Sequence, residues 1–139
     1  AAAIGEHVES DLARPDVTIV ARSALLQGLL SGRVPPVRFP RAGEVDPAAL
    51  LATLGALVRE LGREDLVDLA LAYVRGEPWI DAVVLGIERV DQLRDAARRF
   101  STPPLDAAAR ARVREALPRC PDELLDPSRW TFDDPPDGP

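Results

Sequence analysis

The chain has 139 residues and a net charge of −6, with 46% hydrophobic and 29% charged residues, as expected for one globular domain with a real core. The acidic balance excludes a nucleic-acid surface, which carries a basic field, and no apolar run nears the ~20 residues that span a bilayer. A single cysteine excludes an internal disulfide framework and points to a reducing cytoplasm.

Three absences bear on mechanism. Every positive charge is an arginine, so chemistry that needs a lysine ε-amine is closed to these residues. Asparagine is missing too. There is also no methionine, and no basic, apolar signal segment opens the chain; the expectation is a processed product or a fragment.

Ile4, Val8 and Leu12 recur at four-residue spacing and predict a short helix over residues 2–12. Pro15 and Asp16 end it. Residues 17–21 are apolar and largely β-branched without alternation, which is how a parallel strand buried on both faces reads. The run turns polar at Arg22 and Ser23 and reaches a glycine at Gly28. Pro35, Pro36, Pro40 and Gly43 then make residues 32–45 a loop of the length used for lids and binding surfaces.

Asp46 and Pro47 form a helix start, an Asp cap followed by proline in the first turn. Leu50, Leu51, Leu54, Leu57, Val58 and Leu61 make one apolar stripe, and Gly62 stops it. A second helix is predicted over residues 64–75, with Leu66, Leu69, Ala70, Tyr73 and Val74 on one face, broken by Gly76 and Pro78. Residues 82–85 predict a second buried strand. A turn over residues 86–89 leads to a helix whose inward face is Val90, Leu93, Ala96, Ala97 and Phe100. Pro103 and Pro104 separate it from a last helix over 106–117. The proline-rich tail, 118–139, is expected to touch the body through Leu124, Leu125 and Trp130.

The elements describe an α/β chain with two parallel strands. Two strands are too few for a doubly wound sheet, and their open edges call for more strands beside them. The chain reads as part of something larger.

Most chemistry-bearing residues have a plain structural reading. His7 is the one histidine, with no second metal ligand at helical spacing, and Cys120 lies in the tail. Tyr73 belongs to an apolar face. The acids are interspersed with arginines, as on a solvated face. No glycine-rich phosphate motif or complete catalytic set is present. The two strand exits stand apart. Ser23 offers a hydroxyl, Gly28 allows close backbone approach, and residues 86–89 open a helix whose free N–H groups favour an anion. Taken singly they are a strand exit and a turn; taken together they suggest a ligand shelf at one end of parallel strands.

With those turns placed, the chain resembles the C-terminal half of an aldo/keto reductase. Val-Ala-Arg-Ser-Ala-Leu-Leu-Gln-Gly-Leu-Leu (20–30) is similar to that family's seventh-strand segment, A-Y-S-P-L-x-x-G-x-L. Asp-Leu-Ala-Leu-Ala-Tyr-Val (68–74) resembles the helix before the last strand. Val-Val-Leu-Gly-Ile-Glu-Arg-Val-Asp-Gln-Leu (83–93) resembles the eighth strand and its cofactor turn, and Leu-Leu-Asp-Pro-Ser-Arg-Trp (124–130) a bacterial C-terminal extension.

The resemblance implies the C-terminal portion of a (β/α)8 TIM barrel over residues 1–126, lacking its N-terminal strands, with an extended tail over 127–139. It implies NAD(P)H-dependent reduction of a carbonyl substrate, this chain supplying the cofactor-binding half. Ser23, Leu25 and Gly28 would line the pyrophosphate, and Gly86, Ile87, Glu88, Arg89 and Gln92 the adenosine end. Arg22 stands where an aromatic ring usually stacks on the nicotinamide. Asp95 is a shortened version of the usual Glu. Glu88 would repel a 2′-phosphate, which favours NAD over NADP. The family's catalytic Asp, Tyr, Lys and His would lie on the missing half, so the 139 residues alone are expected to be inactive. The alternative is a non-catalytic half-barrel that binds a nucleotide or another protein. No nucleic-acid or membrane partner is expected.

Overall fold

The computed structural model describes residues 16–31, 46–117 and Asp126. The helix expected over residues 2–12 with His7, the loop over 32–45, Cys120, and the tail anchors Leu124, Leu125 and Trp130 lie outside the described residues.

Two strands, β1 (Val20–Ala21) and β2 (Ala82–Val83), pair in parallel, with Val20 opposite Ala82 and Ala21 opposite Val83. Four α-helices follow in chain order: α1 (Pro47–Glu60), α2 (Leu66–Gly76), α3 (Val90–Phe100) and α4 (Ala107–Ala116). A 3-10 segment, Leu26–Ser31, lies between β1 and α1.

The helix ends follow from local chemistry. Asp46 accepts a hydrogen bond from the Ala48 amide at 2.9 Å, and Pro47 opens α1 where its missing N–H costs nothing. Gly62, at φ 61°, stops α1 in a Schellman arrangement: the Arg63 amide donates to Val58 O at 2.8 Å and the Gly62 amide to Arg59 O at 3.3 Å. Asp65 caps α2 through the Asp68 amide at 2.9 Å, and Asp106 caps α4 through the Ala109 amide at 2.8 Å.

The core is helical. Leu50, Leu54 and Leu57 of α1 pack with Leu69 and Ala72 of α2, with Val113 of α4, and with Leu105 from the segment before α4. The Leu105 amide donates to Ala72 O at 2.9 Å, which fastens that segment to α2. Leu26 and Leu30 of the 3-10 segment lean on the same cluster.

The barrel expectation is corrected here. The described residues are mostly helical, with one pair of two-residue strands and no half-barrel of alternating strands and helices. The runs at 17–21 and 82–85 look like buried strands because they are continuous and apolar. Yet Val17, Val20 and Val84 are exposed, so here the pattern marks side chains with no layer over them. The inward face expected of α3 is corrected as well. Val90 (62% exposed) and Leu93 (54%) face outward, Phe100 is partly covered by Arg75 of α2, and the buried residue of α3 is Arg99.

Candidate functional site

Because β1 and β2 run parallel, both leave the sheet at the same end, and the Val84 amide donates to Ala21 O at 2.8 Å just where they part. The two strand exits expected to form a shelf are therefore neighbours.

The first exit is a left-handed path. Ser23, Leu26 and Gln27 have φ of 58°, 46° and 53°, and Gly28 has 87°. Each non-glycine residue there costs about 1–3 kcal/mol of backbone strain. Tight turns hold the path, the Leu26 amide donating to Ser23 O at 2.8 Å and the Gly28 amide to Leu25 O at 2.9 Å. Arg22 and Ser23 are exposed, while Leu25 and Gly28 are half-buried.

The second exit leads into α3. Gly86, Ile87, Glu88 and Arg89 are all exposed. The Gln92 side-chain oxygen accepts from the amides of Glu88 at 2.9 Å and Arg89 at 3.1 Å, closing the turn on itself. Arg89 grips Asp91 with two hydrogen bonds of 2.9 and 2.8 Å. The Arg89 hydrogen bond chiefly, with help from the amides of Asp91 and Gln92, holds the Asp91 carboxyl down at about 2. The anion at the start of α3 is thus the chain's own carboxylate. The amides of Glu88 and Arg89, which the shelf reading offers to a ligand, are thus engaged by Gln92.

Asp95, one turn further along α3, is engaged by arginines. Its carboxylate accepts from Arg99 Nε at 2.7 Å and from Arg98 Nη2 at 2.6 Å, and these two bonds, Arg99 first, hold it below the usual carboxylate range. It belongs to a charged junction between α3 and the start of α2. There Arg99 donates to Asp65 at 2.6 and 2.9 Å, and Arg98 donates to Glu64 at 2.7 and 3.0 Å. Beneath them Arg63 meets Asp68 at 2.6 Å, and the Glu64 amide donates to the same carboxylate at 3.0 Å. Burial pushes Asp68 up, but Arg63, the Glu64 amide and the charges of Arg63 and Arg99 outweigh it and leave the carboxyl low. Sequence reasoning treated these acids and arginines as a solvated face. The signal for them is Asp65 as a cap with Asp68 three residues on, in the first turn of an apolar helix.

A second feature is apolar. Val17, Val20, Val84, Ile87, Val90, Leu93 and Phe100 are exposed along β1, β2, the turn and α3. Ladder alternation also turns the N–H and C=O groups of Val20 and Val83 away from the partner strand, and among the described residues no further strand pairs with either edge. Among the described residues there is no cluster of metal ligands, and no helix is long and apolar enough to cross a membrane.

A trigger factor from Methylobacterium sp. (strain 4-46) is 35% identical to this chain over 102 residues, a match covering 69% of this chain and 20% of that protein. The chain thus spans about a fifth of the length of that curated relative. No family model matches the chain. These findings overturn the resemblance to aldo/keto reductases and give no support to the oxidoreductase assignment that rested on it. A strand, a glycine turn and a helix with Gln-Leu in its first turn make a short arrangement that is too brief to carry a family.

Proposed function

We propose that this chain is a protein-interaction module, and that extended polypeptide from the remainder of a longer protein adds to its open sheet edges. The observation that carries the reading is the bare pair β1–β2. A two-stranded parallel sheet of two residues per strand is not self-supporting, and its outward groups at Val20 and Val83 are a template for further strands. The apolar side chains beside it, from Val17 to Leu93, supply a surface that strand addition would cover. The 20% share of the longer relative supports an occupant within the same polypeptide. The lone cysteine supports a reducing compartment.

Intact mass of the gene product, followed by hydrogen exchange at Val20 and Val83, tests the reading. A longer product in which both amides are protected is the expected result. A monomer of these 139 residues, with both amides exchanging freely, would overturn it.

A second reading, binding of a nucleotide such as NAD(P)H at the strand exits, draws on the strained path from Ser23 to Gly28, because strain gathers at ligand clamps. The occupied N-terminus of α3 weighs against it. Titration of the chain with NADH and NADPH, read by fluorescence, decides between saturable binding and none.

A further inference from the structure

The helix α3 is attached to the body in an unusual way. The core cluster draws its side chains from α1, α2, α4 and Leu105, and none from α3. Of the apolar side chains on α3, only Ala96 is better than exposed. The attachment is ionic and polar instead. Arg99, only 5% exposed, is bound by Asp65, by Asp95 at 2.7 Å and by Glu64 at 3.6 Å. Arg98 bridges Glu64 and Asp95 beside it. From α2, Arg75 Nη1 donates to the carbonyls of Arg99 at 3.1 Å and Thr102 at 2.9 Å, and its guanidinium lies 4.9 Å from the Phe100 ring centre. From the turn after α1, Arg63 reaches Thr102 Oγ1 at 3.3 Å and Pro103 O at 3.1 Å.

We propose that α3 is a releasable helix, latched to α2 by the carboxylates around Arg99 and able to detach while the α1–α2–α4 core stays folded. The groups facing Arg99 are Asp65 and Glu64 at the start of α2, Asp95 and Arg98 on α3 itself, and Arg75 on α2, with the Arg63–Asp68 pair behind them. Protonation of the carboxylates removes the attraction and leaves Arg98 and Arg99 facing Arg63 and Arg75. Salt weakens the half-exposed members, Arg98, Glu64 and Asp95, more than the buried guanidinium of Arg99. The arginine bonds to backbone carbonyls do not titrate, so they tether the C-terminal end of α3 when the rest lets go. Release reorients the exposed Val90 and Leu93 and frees the Phe100 ring from Arg75, so the apolar surface presented to a partner depends on acid and salt. The latch does not rest on the strand-addition reading, since it is made by the Arg99 side of α3, away from Val90 and Leu93.

Native-state hydrogen exchange of the full chain tests this by comparing protection at neutral pH, at about pH 2.5, below the lowered range of Asp95, and in about 1 M salt. The expected result is that α3 amides lose protection about tenfold or more beyond any loss in α1, α2 and α4. Arg99→Met should show the same selective loss at neutral pH, and Asp95→Asn a smaller one. If Arg99→Met does not fold, the wild-type titration decides. Loss of protection in α3 and the core together, by equal factors, would overturn the latch, as would α3 amides unmoved by either treatment.

Discussion

Arg99 donates two hydrogen bonds to the Asp65 carboxylate, at 2.6 and 2.9 Å, and so joins the last turn of α3 to the cap of α2. One carboxylate oxygen does double duty, because Asp65 Oδ1 also accepts the Asp68 amide at 2.9 Å. Helix capping and helix–helix attachment thus share a side chain, which gives substitutions there a graded effect.

Asp65→Ala should remove both roles, whereas Asp65→Asn keeps a capping oxygen and loses the charge facing Arg99. The loss of the cap alone is worth about 1 kcal/mol. Unfolding in urea should therefore rank wild type above Asp65→Asn, and Asp65→Ala last. Equal midpoints for the two variants would mean that the cap contributes nothing.

The pH dependence of stability follows from Asp68 and Asp95, both held below their ordinary range. A carboxyl lowered by folding contributes its full stability above the unfolded value of about 4 and loses it as pH falls through the folded value. Urea midpoints should stay level from neutral pH to about pH 5 and then fall with acid. A midpoint that rises on acidification would contradict the ion-pair account.

Two glycines predict opposite signs. A Cβ at Gly76 would strike the Leu105 carbonyl oxygen and crowd the Arg110 side chain, so Gly76→Ala should destabilise by about 1–3 kcal/mol. At Gly55, within α1, the nearest outside atom is Arg59 Nη1 at 3.8 Å, so Gly55→Ala should stabilise by about 0.5–1 kcal/mol. Thermal melts of the two variants should move in opposite directions.

Two leucines separate core from docking surface. Leu57 is 1% exposed in the α1–α2–α4 cluster, and Leu57→Ala should cost about 2–5 kcal/mol. Leu93, on the outer face of α3, should tolerate Leu93→Asp within about 0.5 kcal/mol. If strand addition covers the sheet edges in the full gene product, protection of the Val20 and Val83 amides should nonetheless drop in Leu93→Asp. Preserved protection there would remove α3 from the docking surface.

What the sequence determined by itself was local. Asp46 with Pro47, the leucine stripe of α1 and the left-handed Gly62 were legible because caps, periodicity and a glycine stop act within one turn of the chain. The core positions Leu50, Leu54, Leu57 and Leu69 followed from the same periodicity. The strand pair was legible as two apolar runs with polar exits, and the exits do meet, since parallel strands end together. The tertiary structure alone decided how α3 sits. Its stripe of Val90, Leu93 and Phe100 reads as an inward face in any amphipathic pattern, yet Asp65 holds Arg99 inward and leaves Val90 and Leu93 turned out. Residues 34 apart in sequence set this orientation, through a bidentate ion pair that no periodicity records. The nucleotide shelf depended on the same kind of detail. Gln92 folds back onto the amides of Glu88 and Arg89, an arrangement made by a side-chain rotamer rather than by residue types.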